Sequence, residues 1–161
     1  MGKKTKPFAL KPGEVVTRKK LHDMYGGQER GGISTPAGRP FILVFTGARG
    51  EEFGYQHAWE SDVYHYTGEG PSGSMEFTRG NKALRDHKKD EKRVHLFVEN
   101  AHGLQEYAGE MEVRSWRFME QKDVRNRKRK SIVFELARVP SEPEATVKGL
   151  AKGLTLVQRR R

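Results

Sequence analysis

The sequence contains no cysteine among its 161 residues. Disulfide bonds, thiol chemistry and the usual cysteine-ligated zinc sites are therefore excluded. Long apolar runs are also missing, and a mean hydropathy of -0.85 argues against a membrane-spanning helix. Because the basic residues 1–4 have no apolar stretch behind them, we expect no secretory signal and a cytoplasmic location.

Acidic residues are scarce relative to basic ones. The chain has 21 Asp and Glu against 31 Lys and Arg, which gives a formal net charge of +10 and a pI near 9.9. Such an excess on a chain of one-domain size points to a polyanionic partner, most often nucleic acid. An acidic membrane surface is a weaker alternative, because no basic amphipathic helix with a wide apolar face is visible.

Catalytic and metal-binding motifs are not found either. The six histidines show neither HxH nor HExxH spacing, and no Ser or Thr has a convincing His and acid partner. Residues 26–32 hold four glycines in seven positions, but they match neither GxGxxG nor the P-loop. We therefore predict no catalytic residue, no metal site and no cofactor, and leave open whether this chain is itself an enzyme.

The hydrophobic periodicity predicts a small, β-rich α+β domain with two short helices, at residues 14–25 and 81–90. Thr17 and Asn81 are expected as N-caps. Strands are predicted at 40–46, 63–67, 93–98, 110–118 and 131–139. Alternation within 110–118 places Met111, Val113 and Ser115 opposite Glu112, Arg114, Trp116 and Phe118.

Residues 55–81 are the most informative stretch of the chain. Four aromatic residues fall within twelve positions, and a short alternating strand then runs into glycines and a proline. Aromatic rings beside glycines can form a flat-sided slot for a planar base, with side chains on its faces and backbone groups at its edge. The alternative is that the aromatics are core residues and the glycines only turn corners.

The order of motifs resembles that of the SRA (SET- and RING-associated, YDG) domain, closest to the SRA-like modules of bacterial HNH modification-dependent restriction endonucleases. The matching motifs are Gly54-Tyr55, the acidic Glu60-Ser61-Asp62, Tyr66-Thr67-Gly68-Glu69-Gly70 and Gly80-Asn81-Lys82-Ala83-Leu84. The glycine-rich residues 25–33 and the strand at 41–46 extend the resemblance upstream. The family's Tyr-Asp-Gly corresponds to Tyr107-Ala108-Gly109.

This resemblance implies an SRA/PUA-like curved sheet or partly closed barrel over residues 14–139. Residues 1–13 would be a basic flexible terminus, and 140–161 a linker towards a nuclease domain outside this sequence. The implied function is a reader that flips modified cytosine, 5-methyl or 5-hydroxymethyl, out of double-stranded DNA and targets a restriction endonuclease. The alternatives are a PUA-like RNA-binding module without base flipping and a nuclease activity within the chain itself.

The resemblance also implies the roles of individual residues. Tyr55 and Tyr66 would sandwich the base, and Thr67 and Gly68 would offer backbone groups to its Watson–Crick edge. Asp62 or Glu60 would accept a hydrogen bond from the cytosine amino group, and Trp59 would wall the pocket. The expected DNA-contacting residues are Gln28, Arg30, Arg79, Lys82, Arg125 and Arg127.

Overall fold

A computed structural model describes residues 7–47, 58–70 and 72–140. Their elements in chain order are β1 (Val15–Val16), α1 (Arg18–Tyr25), β2 (Ile33–Ser34), β3 (Phe41–Thr46), β4 (Ala58–Glu60), β5 (Val63–Thr67), α2 (Arg79–Arg85), β6 (Arg93–Glu99), β7 (Gln105–Lys122) and β8 (Lys128–Arg138). In this part of the chain the eight strands form one mixed sheet of order β2-β3-β6-β7-β8-β5-β4, with β1 paired to β7. The predicted α+β fold with a curved sheet and two helices is confirmed, and the sheet is open rather than closed.

The long strand β7 lies at the centre of the sheet, between β6 and β8. Its first half pairs with β6 and its second half with β8, both antiparallel. The register to β8 shifts between Val113 and Ser115, so that Val113 faces Leu136 and Trp116 faces Phe134. A β-bulge of this kind adds one residue to a strand and moves the following side chains to the other face. The predicted alternation across 110–118 is therefore wrong beyond Val113: Trp116 and Phe118 share its face.

Two apolar clusters lie on opposite faces of the sheet. Alternate residues of β3 divide between them: Ile42 and Val44 join the cluster that includes Leu84 of α2, whereas Phe41, Leu43 and Phe45 join the one that includes Leu21 of α1. This alternation follows from the period of two along a strand. The parallel pairing of β3 with β6 extends both clusters, which fix the two helices on either side.

The first helix begins four residues later than the sequence predicted. Thr17 is its N-cap, as expected, and its side chain accepts a hydrogen bond from the Lys20 amide at 3.0 Å. The preceding Val15 and Val16 instead pair with β7 as a short strand. Phe8 stacks on the His95 ring with centroids 3.7 Å apart, so residues of the predicted N-terminal tail pack onto this side of the sheet.

The second helix is shorter than predicted and has a different cap. It runs from Arg79 to Arg85 with Thr78 at the N-cap position. Asn81, predicted to be the cap, is a buried residue inside the helix, because its side chain is bound to the loop after β5. In the described residues, no helix is long and apolar enough to cross a membrane.

Candidate nucleic-acid interface

The loop that follows β5 is held by the side-chain amide of Asn81. The Glu69 amide donates to Asn81 Oδ1 at 2.7 Å, and Asn81 Nδ2 donates to the carbonyls of Glu69 and Glu76 at 3.0 Å each. The Gly68 amide donates to the Ile132 carbonyl at 2.8 Å. These bonds extend the order of the sheet into residues 68–70, the part of the Tyr-Thr-Gly-x-Gly motif that leaves the strand.

The glycines of the two motifs are required by close contacts. A Cβ on Gly68 would lie 2.6 Å from Asn81 Oδ1. A Cβ on Gly80 would meet the Glu69 carboxylate and lie 2.9 Å from Ile33 Cβ. A Cβ on Gly32 would meet the Tyr66 hydroxyl. The two motifs and the upstream glycine-rich loop therefore pack against one another as a single unit at the end of β5.

Glu69 joins this loop to the glycine-rich loop. Its Oε1 accepts a hydrogen bond from the Ile33 amide at 3.1 Å. Burial raises the pKa of this carboxyl, while the amides of Ile33 and Gly32 and the charges of Arg18 and Arg79 act in the opposite direction. Glu69 was not among the predicted site residues, although it occupies the variable position of the Gly-x-Gly signature.

Arg18 of α1 fastens the glycine-rich loop from the other side. Its guanidinium donates to the Gly31 carbonyl at 2.8 Å and the Gln28 carbonyl at 2.9 Å, and lies 3.8 Å from the Phe45 ring centroid. The predicted DNA contact Gln28 also bonds within the protein, since its Oε1 accepts from the Thr35 amide at 2.7 Å. Arg30, the other predicted contact, is exposed on this loop.

The predicted pocket residues do not all lie together. Tyr66 is 2% exposed, and its hydroxyl donates to the Phe45 carbonyl at 3.2 Å, while Thr67 is 1% exposed. Trp59 packs edge-on against Tyr64 at 4.9 Å, with the Arg138 guanidinium 4.3 Å from its ring centroid. The predicted residue Tyr55 lies outside the described residues.

Both candidate pocket carboxylates lie at the start of β5. Asp62 is exposed in the turn after β4, and Glu60 pairs with His65 at 2.9 Å. At roughly 3.3 Å per residue, Asp62 is about 16 Å along the strand from Thr67. At the end of β5 where Thr67 and Gly68 lie, the acid that the described residues supply is Glu69 instead. The roles assigned to Tyr55, Trp59, Asp62 and Glu60 stay predictions.

The β7–β8 hairpin carries a dense cluster of basic residues. Between residues 114 and 130 the sequence has eight Lys and Arg against two acids. At the tip, Asp123 accepts hydrogen bonds from the amides of Arg125 and Arg127, both at 2.9 Å. The Arg127 amide lowers the pKa of Asp123 most, and the Gly73 and Arg125 amides add to the effect. The carboxylate thus shapes the turn, and the side chains of Arg125 and Arg127 are exposed.

The hairpin is tied to the loop after β5. Arg129 donates to the carbonyls of Gly70 and Gly73, and the Gly73 amide donates to Asp123 at 3.2 Å. The Met75 amide donates to the Lys130 carbonyl at 2.9 Å. Beyond this segment, Arg79 and Lys82 are exposed on the first turn of α2, where Lys82 lies 3.5 Å from Asp86. In the residues described, no three His, Asp or Glu side chains cluster as metal ligands.

A curved mixed sheet with a helix on each face, a Tyr-Thr-Gly-x-Gly loop locked to a Gly-Asn helix and a basic hairpin define an SRA domain. The sequence matches the ScoMcrA-like SRA domain family over residues 12–152, and the chain belongs to that family. The predicted resemblance to SRA domains is therefore confirmed.

Solved structures of SRA domains show the same fold. A structure of the sulfur-binding and SRA domains of ScoMcrA with phosphorothioated DNA has 22% identity and a TM-score of 0.68, covering 83% of this chain and 41% of that one. The SUVH5 SRA domain with hemimethylated CG DNA has 21% identity and a TM-score of 0.63, covering 86% and 94%. The SUVH5 SRA domain bound to fully hydroxymethylated CG DNA has 20% identity and a TM-score of 0.61, covering 83% and 91%.

The match to full ScoMcrA, a Type IV phosphorothioation-dependent restriction endonuclease, covers 25% of that chain at 23% identity. This chain thus spans less than half of both ScoMcrA structures. No curated protein matches the sequence.

Proposed function

We propose that this domain reads modified cytosine in double-stranded DNA and directs an attached nuclease to it. The observation that carries the proposal is the single unit formed by the Tyr-Thr-Gly-x-Gly loop, the Gly-Asn helix and the glycine-rich loop, with the basic hairpin bonded to its edge. Members of the same fold were solved with methylated, hydroxymethylated and phosphorothioated DNA, which supports modified DNA as the ligand.

The modified base enters at the end of β5 after it has left the duplex. There the backbone of Thr67 and Gly68 faces its Watson–Crick edge, with Tyr66 beneath it, and the Gly68 amide exchanges its hydrogen bond to the Ile132 carbonyl for one to the base. Because Gly32 packs on the Tyr66 hydroxyl, a base that stacks on this ring has to displace the glycine-rich loop. Flipping costs a few kcal/mol, and base stacking of about 1–3 kcal/mol together with phosphate contacts offsets that cost.

The basic hairpin supplies those phosphate contacts. Arg125 and Arg127 project from a turn that Asp123 has already ordered, so little freedom is lost when they bind. Arg30, Arg79 and Lys82 are exposed around the loop unit and extend the cationic surface. These contacts bind any sequence, whereas the end of β5 supplies the discrimination.

The test is a binding titration with duplexes that differ only at one central position: unmodified cytosine, 5-methylcytosine, 5-hydroxymethylcytosine or a phosphorothioate linkage. Salt is held fixed, and an RNA duplex of equal length is the competitor. A buried methyl group contributes about 0.8 kcal/mol, so we expect roughly fourfold tighter binding of the methylated duplex. If every duplex and the RNA bind alike, the domain is a backbone binder and the proposal fails.

Variants of β5 test whether the preference for the modified duplex arises at the end of this strand. Tyr66→Ala should abolish it while the salt-dependent binding remains. Tyr64→Ala is the matched control, because Tyr64 lies on the same strand and face and is also buried. Each tyrosine truncation costs about 3–5 kcal/mol of stability, so circular dichroism must first show that the variants are folded. Equal preference in Tyr64→Ala and Tyr66→Ala would contradict a pocket at the end of β5.

A further inference from the structure

An aromatic patch lies on the hairpin, beside the end of β5: Trp116 pairs with Phe134 of β8, which pairs with Tyr66 on its other side. It consists of Trp116 and Phe118 from β7 and Phe77 from the segment before α2. The ring centroids of Phe77 and Trp116 are 4.6 Å apart, those of Trp116 and Phe118 are 5.4 Å apart, and both contacts are edge-on. Phe77 also contacts Phe134 of the core at 6.4 Å, which anchors the patch to the sheet.

The patch is open to solvent. Trp116 is 39% exposed and Phe118 is 47% exposed. Single exposed apolar residues are normal on a protein surface, but adjoining exposed rings mark an interaction site. The bulge between Val113 and Ser115 is what brings both rings to this face, beside Phe77.

The surroundings of the patch are cationic. The Lys130 ammonium lies 5.0 Å from the Phe118 ring centroid, and the Arg85 guanidinium lies 4.6 Å from that of Phe77. Arg85 is also bonded to Asp86 at 2.8 Å and covers Phe77, as Lys130 lies over Phe118, which leaves Trp116 as the open ring. With eight cations and two acids between residues 114 and 130, the charge of this hairpin complements a polyanion.

Exposed rings flanked by cations are the arrangement with which proteins hold single-stranded nucleic acid. A ring face can stack only on a base whose own face is free, and in an intact duplex the base faces are covered by neighbouring bases. An unpaired base therefore fits the patch, while a duplex does not.

We propose that the patch of Phe77, Trp116 and Phe118 is a second DNA site, which stacks an unpaired base on Trp116 while Lys130 contacts the adjoining phosphate. This second site rests on the proposed function in one respect, that DNA is the ligand. It does not require a modified cytosine. Such a base would be available in a single-stranded overhang, or in the strand opened beside a flipped nucleotide.

The first test uses intrinsic fluorescence. The chain has two tryptophans, so in the Trp59→Phe variant the tryptophan fluorescence comes from Trp116 alone. The probe is an oligothymidine of about eight nucleotides, within the range of single-strand site sizes, and it contains no cytosine for the β5 pocket. We expect saturable quenching by the oligothymidine and much weaker quenching by a blunt duplex long enough to stay paired, compared at equal concentrations of phosphate. Unchanged emission while fluorescence anisotropy of a labelled oligothymidine reports saturation would overturn the proposal.

The second test uses variants of the patch. Trp116→Ala and Phe118→Ala should weaken oligothymidine binding roughly tenfold, and Trp116→Phe should weaken it less, because stacking is lost or reduced. Val15→Ala is the control, since Val15 is 47% exposed on β1 and contacts no part of the patch. Wild-type affinity in folded Trp116→Ala and Phe118→Ala would overturn the proposal.

The two proposals can fail separately. Loss of the preference for modified cytosine leaves oligothymidine quenching unaffected, and loss of quenching leaves that preference unaffected.

Discussion

Asn81 shows what a motif residue contributes at the residue scale. Its side chain makes three hydrogen bonds to the backbone of residues 69 and 76, so both of its polar atoms are engaged within the protein. Gly68 and Gly80 leave the space in which that side chain and the Glu69 carboxylate lie. These members of the SRA signature therefore act by positioning the loop that follows β5.

Removal of this side chain should be costly. Asn81→Ala leaves the half-buried Glu69 amide and two carbonyls without their partner, so we expect the free energy of unfolding to fall by about 2–4 kcal/mol. Asn100→Ala is the matched control, because Asn100 also accepts two backbone amides, at 2.9 and 3.0 Å, but in a partly exposed turn where water can replace it. Urea denaturation of both variants gives the comparison, and equal losses would contradict the role assigned to Asn81.

The sequence identified Asn81 as a motif residue, but it did not show which groups its side chain binds. Asparagine before an apolar helical run is a common N-cap, and this local rule gave the wrong assignment. The partner that overrides it, the backbone of Glu69, is twelve residues earlier in the chain. Trp59 and Asp62 lie towards the other end of β5 from Thr67, a separation that the local sequence could not show, and their roles stay predictions.

At the scale of elements, the β7–β8 hairpin combines a rigid tip with a high charge. Arg125 and Arg127 should each contribute phosphate contacts that are independent of DNA sequence and modification. The buried carboxylate of Asp123 orders the turn between them. The tip is further bonded to Gly70 and Gly73, so its position relative to the loop after β5 is fixed.

Arg125→Gln combined with Arg127→Gln should weaken every duplex to the same degree. Each lost phosphate contact lowers the slope of log K against log salt by about 0.9, so the pair should lower it by about 1.8. Arg93→Gln is the control: Arg93 is exposed and lies 3.6 Å from Glu110, just as Arg127 lies 3.6 Å from Asp123, but it is on β6, away from the hairpin tip. Titrations at four salt concentrations measure the slopes. An unchanged slope in the double variant would place DNA elsewhere.

The strand bounds were predicted well where the alternation of apolar and polar residues was uniform. The strand predicted at 63–67 is β5 as the structure has it, and 93–98 differs from β6 by one residue. The predicted 110–118 is the 18-residue β7, because charged residues near the hairpin tip hid its continuation. The bulge at Val113 could not be read from sequence, since alternating residue types look the same in either register.

At the scale of the whole molecule, burial makes folding sensitive to pH through His95. This ring is stacked on Phe8 and bonded to the Tyr107 hydroxyl at 2.7 Å. Burial lowers the pKa of His95 to about 3, from an ordinary value of 6.5. The folded state therefore binds fewer protons than the unfolded state, and stability is greatest above pH 6.5 and falls as the pH drops towards 3.

We expect a loss of about 2 kcal/mol from this group between pH 7 and pH 5, at about 1.4 kcal/mol per pH unit below 6.5. His95→Phe together with Tyr107→Phe removes the titrating ring without leaving a buried hydroxyl unpaired, so this variant should lose less stability over the same interval. Burial also lowers the pKa of His87, which should give the double variant a residual slope. Urea midpoints at the two pH values measure both, and identical slopes would contradict the assignment to His95.

The place of β8 has a consequence for how the domain is made. Of the described strands it is the last to be synthesised, yet in the sheet it lies between β7 and β5. Until it emerges, β4 and β5 are an isolated two-stranded hairpin, which is marginally stable in water. The hydrogen bond from the Gly68 amide to the Ile132 carbonyl likewise cannot form before β8 is present, because Ile132 lies on β8. The loop that would face the DNA base is thus encoded in the first half of the chain but takes its final shape only when synthesis of the sheet is complete.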